Sequence, residues 1–191
     1  MPNWCNNTVV ISHKDPAIIE ALAAAVREGK FCNHVIPTPE DLNITAGFLG
    51  KDTPEQAELE RKSAENVEKY GYANWYDYQV AKWGTKWDIE SYEGENTKVE
   101  NGVLQFGFDS AWAPPTGVYA ALEEQGFTVK AFYWESGMCF AGMYADGYDD
   151  YYELGGMTST EVAETIPGEL DEMMAISENM AEWEAENAEE E

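Results

Sequence analysis

Residues 101–135 read NGVLQFGFDSAWAPPTGVYAALEEQGFTVKAFYWE and carry the signals of a strand, a helix and a second strand. Pro114-Pro115 ends the first strand, the helix occupies about 118–126, and 127–135 returns to an alternating pattern. The first strand is expected to bury one face, because apolar side chains alternate at Leu104, Phe106 and Phe108. This segment therefore predicts a β-α-β unit.

The flanking segments extend this unit into an antiparallel sheet. Asp15-Pro16 has the capping and first-turn residues of a helix that ends at Gly29. Residues 31–39 are expected to be extended and to be interrupted by Pro37 and Pro39. Asn101-Gly102 favours a tight hairpin turn. We expect strands over residues 7–12, 87–92, 103–112, 127–135, 138–144 and 148–154.

Residues 40–86 interrupt this order and are interpreted as an insertion that covers a sheet. A loop over 43–53 precedes a helix from Thr53 to about Tyr70, and a short aromatic helix follows over 74–83. Without the insertion, the element order predicts an α+β, ferredoxin-like antiparallel sheet with helices on one face. We expect this domain to span residues 1–155.

Residues 156–191 are expected to form an acidic, helical C-terminal extension. Thr158 and Glu161 have the spacing of a capping box, and Pro167 is expected to interrupt the helix. Beyond it, apolar residues form a stripe on an otherwise acidic helix: Leu170, Met173, Met174, Met180 and Trp183. Three alternatives follow. The stripe packs on the sheet of its own chain, inserts into the groove of a partner, or is disordered in the free protein.

The net charge of the chain limits the classes of partner that the protein can bind. The 191-residue chain has 37 acidic and 11 basic residues, a net charge of −26, and 13% aromatic residues. Such aromatic content permits a hydrophobic core, whereas the charge disfavours direct binding to nucleic acid or to an anionic membrane. The absence of a long apolar run and of a secretory signal over residues 1–5 predicts a cytoplasmic protein.

The acidic residues are concentrated toward the C-terminus. Residues 131–191 contain 17 Asp and Glu and no Lys or Arg, so that Lys130 is the last basic residue. As one continuous helix, residues 161–191 would span about 46 Å, a length over which one DNA strand carries about 14 phosphates. The same residues contain 12 carboxylates. This comparison makes imitation of nucleic acid a reasonable hypothesis.

The sequence predicts neither a metal centre nor a cofactor. Cys5, Cys32 and Cys139 are too few and too scattered for a disulfide framework, which favours reduced thiols. Although Cys32 is close to His34, zinc requires four ligands, and the chain has two histidines. Common nucleotide-binding and hydrolase motifs are absent from the sequence, so we expect no catalytic residues.

Four motifs resemble those of the YubB-type, ferredoxin-like family of uncharacterised phage and plasmid proteins. They lie at residues 1–7 (MPNWCNN), 83–88 (WGTKWD), 108–115 (FDSAWAPP) and 135–142 (ESGMCFAG). The resemblance covers about residues 1–155, and the WGTKWD block is its most specific part. Ser136 and Cys139 depart from the Pro and Gly expected there. The resemblance implies a ferredoxin-like core and a mobile-element origin, with no known activity.

The leading hypothesis is a non-enzymatic phage or plasmid accessory protein in the host cytoplasm. It would bind and inhibit a basic host protein, such as a defence or nucleic-acid-handling enzyme, by nucleic-acid mimicry. Tyrosine supplies contact area beside the carboxylates that select a basic partner. The candidate partner-binding residues are Asp146, Asp149, Asp150, Tyr151, Tyr152, Glu153, Glu161, Glu164, Glu169, Asp171, Glu172 and Trp183.

The alternative hypothesis is a small-ligand-binding module that uses a tryptophan-lined pocket. Lys86 lies between two tryptophans in the sequence, and tryptophan faces attract cations. Asp88 is expected to pair with it. The candidate pocket residues are Trp4, Trp83, Lys86, Trp87, Asp88 and Trp112.

Overall fold

A computed structural model describes residues 3–91 and 97–188. Its centre is one antiparallel sheet in the order β2-β4-β1-β5-β6-β7, and β3 also pairs with β4. The α+β prediction with an antiparallel sheet is thus confirmed. The strands are β1 (Trp4–Ser12), β2 (Glu90–Ser91), β3 (Lys98–Glu100), β4 (Val103–Ala111), β5 (Thr128–Glu135), β6 (Phe140–Ala145) and β7 (Tyr148–Glu153).

The middle of the sheet has a well-defined register. On β1, Val9 pairs with Phe106 of β4 on one side and Ala131 of β5 on the other. Asn101 and Gly102 both have positive φ, 53° and 77°, and form the predicted tight turn between β3 and β4. The sequence missed β3, which is the strand this turn connects to β4.

The strand predicted over residues 87–92 is shorter in the described part of the chain. Only Glu90–Ser91 pairs with β4, and Tyr92 lies outside the described residues.

Helices flank the sheet, and three of them begin at the predicted capping residues Asp15, Thr53 and Thr158. Asp15 Oδ1 accepts from the N–H of Ala17 at 2.9 Å, and the Thr53 hydroxyl accepts from the N–H of Gln56 at 3.2 Å. A single 3-10 turn occupies Glu40–Leu42. The helices are α1 (Pro16–Arg27), α2 (Phe31–Val35), α3 (Pro54–Tyr70), α4 (Trp75–Trp83), α5 (Thr116–Glu124), α6 (Ser159–Thr165), α7 (Gly168–Met174) and α8 (Ile176–Ala188).

The prediction of extended structure over 31–39 is wrong for its first half, which forms α2. The side chain of Asp88 accepts from the N–H groups of Cys32 at 2.8 Å and Asn33 at 2.9 Å. These donors would otherwise be unsatisfied at the start of a helix. A residue 56 positions away therefore stabilises a turn of helix that the local sequence does not indicate.

The larger core lies between one face of the sheet and helices α1, α2, α4 and α5. It combines side chains from β1, β4 and β5 with apolar residues of those helices, including Ile19, Leu22, Phe31, Val118 and Leu122. Burying such side chains contributes about 1.5–3 kcal/mol each. All of these residues precede residue 156, within the range predicted to form the main domain.

A second core covers the opposite face, so helices lie on both faces of the sheet rather than on the predicted one. Phe132 and Ala141 point to the side opposite Ala131 and Tyr144 of the first core, as strand alternation requires. Buried residues of the C-terminal helices pack against them: Val162, Ile166, Leu170 and Ile176.

The predicted C-terminal stripe is divided between α7 and α8. Leu170, Met174 and Met180 pack in the second core, whereas Met173 and Trp183 are exposed, so docking on the chain's own sheet holds for part of the stripe.

The C-terminal extension is helical but broken. Thr158 and Glu161 form the predicted capping box, and α6 ends just before Pro167. A second break occurs at Ala175, whose φ is 51°. The longest of the three helices, α8, has 13 residues and so spans about 20 Å. The continuous helix of about 46 Å assumed for DNA imitation is therefore not formed.

Candidate functional site

Lys86 lies at the centre of an aromatic cluster. Its Nζ is 4.3 Å from the centroid of the Trp87 ring, 5.0 Å from that of Trp112 and 5.7 Å from that of Tyr76. Each distance is within the range in which a ring face attracts a cation. Lys86 lies two residues after Gly84, which ends α4 with a φ of 91°. The sequence predicted this cluster except for Tyr76.

Trp4 and Trp112 extend the cluster across the end of the sheet. Trp4 is 6.3 Å from Trp87 between ring centroids, and the N–H of Trp112 donates to the carbonyl of Asn3 at 2.9 Å. A φ of 71° turns Trp112 out of the line of β4. Trp4, Trp87 and Trp112 are 43%, 38% and 42% exposed, so the rings form an open surface rather than an enclosed pocket.

Two predicted members of the pocket, Trp83 and Asp88, form no ion pair or ring contact with Lys86 within the described part of the chain, although both line a separate cavity with Trp87. Trp83 is buried in the larger core, where its Nε1–H donates to the carbonyl of Ile36 at 2.9 Å. Asp88 binds the backbone of α2 rather than Lys86, and burial raises the pKa of its carboxyl group. The expected pairing of Asp88 with Lys86 is absent from the described residues.

Strand β7 presents acidic and tyrosine side chains at the edge of the sheet. Its register places Asp149, Tyr151 and Glu153 on one face, and Asp150 and Tyr152 on the other. Among the described strands β7 pairs with β6 alone, and charged residues on such an edge oppose pairing with other chains. Asp146 is exposed in the turn that precedes this strand.

Some residues of β7 also have structural roles. The hydroxyl of Tyr133 donates to Asp149 Oδ1 at 2.7 Å, and burial raises the pKa of Tyr133. Gly142 permits this approach, because a Cβ at that position would lie 2.1 Å from the Tyr133 hydroxyl oxygen. The ring of Tyr151 packs on Phe140 at 5.3 Å, whereas Tyr152 contacts the second core.

Three of the predicted acidic residues on α6 and α7 are held by polar partners. Glu161 accepts from the N–H of Thr158 at 2.8 Å, and that bond lowers the pKa of Glu161. Glu169 forms an ion pair with Lys130, and Asp171 accepts from the N–H of Ser177 at 2.7 Å. The remaining two, Glu164 and Glu172, are exposed, and their carboxylates have no hydrogen-bond or ion-pair partner within the described residues.

Helix α8 forms one wall of an apolar groove of about 790 Å³ that the sequence did not indicate. It runs between the end of β5, the segment after β7 and one side of α8. Trp183, a predicted partner-binding residue, is 65% exposed and forms part of its wall. The principal apolar lining residues are Trp134, Leu154, Met157, Met180 and Trp183. Trp134 could have indicated the groove in the sequence, because strand alternation places this large ring on the face opposite the buried Tyr133.

The thiols differ in environment. Cys5 and Cys32 are buried, and burial raises the pKa of both. Cys139 is partly exposed in the wall of the groove. Within residues 3–91 and 97–188 there is no group of three or more His, Cys, Asp or Glu that could hold a metal ion. The helices described there also include none that is long and apolar enough to span a membrane.

Comparisons with known proteins assign no function to these residues. No protein-family model matches the chain, and no curated protein matches it. One solved structure is similar: the protein api92 from Yersinia pseudotuberculosis, assigned to the family DUF1281. It shares 12% sequence identity at a TM-score of 0.38, and the match covers 82% of this chain and 99% of that one. The resemblance to the YubB-type family stays a prediction.

Proposed function

We propose that this protein is a non-enzymatic accessory protein of a phage or plasmid that binds and inhibits a basic host protein. Its binding region is the acidic surface, defined as the exposed carboxylates of the β6–β7 turn, β7, α6 and α7. The mobile-element origin rests on the motif resemblance alone, and the host cytoplasm is an expectation from the sequence. Among the described residues, the members of the acidic surface whose carboxylates have no hydrogen-bond or ion-pair partner are Asp146, Asp150, Glu153, Glu164 and Glu172.

The observation that carries this proposal is the lack of internal neutralisation. Among the described residues, Lys130–Glu169 is the one ion pair that includes a carboxylate from beyond residue 130. The other ion pairs lie within residues 28–69. The uncompensated carboxylates create a negative potential over one part of the molecule. Such a potential attracts a basic protein and disfavours acidic ones.

The helices support these carboxylates on a fixed scaffold. Leu170 and Ile176 are buried against the sheet, the Thr158–Glu161 capping box starts α6, and Asp171 bonds to the start of α8. A disordered acidic tail would lose conformational entropy when it binds, whereas a docked one has already lost it. The packing therefore favours a specific binding surface over a tail that only adds solubility.

We also propose a ferredoxin-like core beneath this surface. The neighbouring strands β2-β4-β1-β5, with α1 and α5 on one face, fit a split β-α-β arrangement. In this interpretation β6, β7 and α6–α8 are additions, and all of the acidic surface lies on them. The additions would then supply the function and the core would position them.

Capture of a partner tests the proposal. The full-length protein, immobilised and incubated with a bacterial lysate, should retain a basic protein at about 0.05 M salt and release it near 0.2 M, because the Debye length falls to about 8 Å near 0.15 M. Duplex DNA or RNA should compete for the partner if the acidic surface imitates nucleic acid. A partner that binds equally well at both salt concentrations, or that binds nucleic acid and this protein together, would contradict this mode of action.

The aromatic cluster supports a second candidate function, the binding of a small ligand. Lys86 lies against three rings and has no carboxylate partner among the described residues. A flat anionic compound could stack on Trp87 or Trp112 and pair with the ammonium group. Such a ligand should raise the melting temperature of the wild-type protein, and Lys86→Gln should remove most of that increase. An equal increase in the variant would exclude Lys86 from the site.

A further inference from the structure

The apolar groove beside α8 has the dimensions of a binding site. Its volume of about 790 Å³ lies within the range of known ligand pockets. Trp183 and Met180 form the α8 wall, and Trp134 and Met157 face them. Methionine side chains adapt to different shapes, and exposed tryptophans often contribute much of the energy of an interface. The lining therefore suits an apolar side chain of a partner.

The surroundings of the groove are acidic. Asn179 and Trp183 line it, and Glu182 and Glu186 each lie three residues further along α8, hence one helical step from the lining. Both glutamates are exposed. Lys130, the last basic residue of the chain, does not neutralise this charge. It lies near the start of β5, whereas Trp134 lies near the end of that strand, and it already forms an ion pair with Glu169. An occupant would thus meet an apolar groove bordered by negative charge.

We propose that this groove binds a lysine- or arginine-rich amphipathic helix of the partner, with one large apolar side chain inserted between Trp183 and Trp134. This inference rests on the proposed function and names the structural element of the basic partner that the protein binds. Apolar anchors spaced along a helix fit such grooves, and flanking cations complement the glutamates of α8. A second copy of this chain is a poor occupant, because it would bring another net charge of −26.

A pair of synthetic peptides tests the proposal with the full-length protein. The probe is an 18-residue helical peptide with Leu on one face and Lys on the other. Its control has every Leu replaced by Ser, so that the charge is unchanged. Isothermal titration calorimetry should show at least about tenfold tighter binding of the Leu/Lys peptide, since only that peptide fills the groove.

Two matched variants locate the binding. Trp183→Ala removes an exposed ring of the groove and should weaken binding of the Leu/Lys peptide about tenfold. Phe48→Ala removes an exposed ring of the loop that precedes α3 and should leave that binding unchanged. Equal circular dichroism spectra of both variants would establish that each is folded.

Cys139 provides an independent readout of the groove. It is the partly exposed thiol in the groove wall, whereas Cys5 and Cys32 are buried. The Leu/Lys peptide should slow modification of Cys139 by a maleimide, and the Ser/Lys control should not.

The outcomes separate this inference from the proposed function. Equal binding of both peptides, unaffected by Trp183→Ala and lost in high salt, would overturn the groove as the site while supporting an acidic binding surface. Failure of both peptides to bind would overturn both proposals. A stable dimer that Trp183→Ala dissociates would assign the groove to a second copy and overturn the inference.

Discussion

Replacing Leu170 by Ala measures how firmly the C-terminal helices are attached to the sheet. Leu170 is fully buried in the second core, where α7 contacts β5. A Leu→Ala change in a closed core costs about 2–5 kcal/mol, through lost burial and the cavity that remains. We expect a loss of about 3 kcal/mol in the free energy of unfolding. Met173, on the same helix but exposed, supplies a matched control for which Ala should cost less than about 1 kcal/mol.

Urea denaturation followed by far-ultraviolet circular dichroism and by tryptophan fluorescence gives both free energies. If α6–α8 are packed as described, Leu170→Ala shifts the curve well beyond the shift of Met173→Ala. A difference of less than about 0.5 kcal/mol between the two variants would refute the docked arrangement. The acidic surface would then lose its fixed scaffold.

Three further predictions test other parts of the structure. A thiol reagent should modify Cys139 rapidly and the buried Cys5 and Cys32 only after denaturation; three fast thiols would contradict the described burial. Glu161→Gln should reduce the free energy of unfolding near neutral pH. Because the fold lowers the pKa of Glu161 below 4.5, the difference in that free energy between variant and wild type should shrink as the pH falls through and below that value. A difference that is constant from pH 7 to pH 3 would mean that the capping carboxylate is not the cause. A chain that ends at residue 156 should keep its near-ultraviolet circular dichroism with a lower urea midpoint, since the larger core lies before that residue; loss of the signal would show that the helices are required for folding.

Local signals account for the parts of the fold that the sequence predicted. The capping side chains of Asp15, Thr53 and Thr158 act within three residues, and β4 and β5 have clear alternation. Helix α2 was missed because its N-terminal partner, Asp88, is far away in the chain. Strand β3 was missed because three residues with two charged side chains carry no strand pattern, although the turn that follows them was recognised.

The candidate sites, like the fold, were predicted where the signal is local and missed where it depends on distant segments. The WGTKWD block drew attention to Lys86, and the structure places two predicted tryptophans, Trp87 and Trp112, around it. The sequence block could not show that Trp83 enters the core, since the position of a residue in a helix does not by itself reveal which ring is buried. The groove at Trp183 depends on helix α8 lying against the end of β5, a contact between distant segments that composition cannot predict.

Two full-length variants with equal net charge test whether the partner recognises the position of the charges and not only their number. One carries Asn or Gln at five members of the acidic surface, Asp146, Asp150, Glu153, Glu164 and Glu172. The other carries Gln at five exposed glutamates of the first 130 residues, Glu20, Glu55, Glu68, Glu100 and Glu124. The measurement is the affinity of each for the captured basic partner at about 0.05 M salt, where exposed charges are least screened. The proposed function predicts that the first variant loses binding and the second keeps it; equal binding by both would contradict the assignment of the acidic surface.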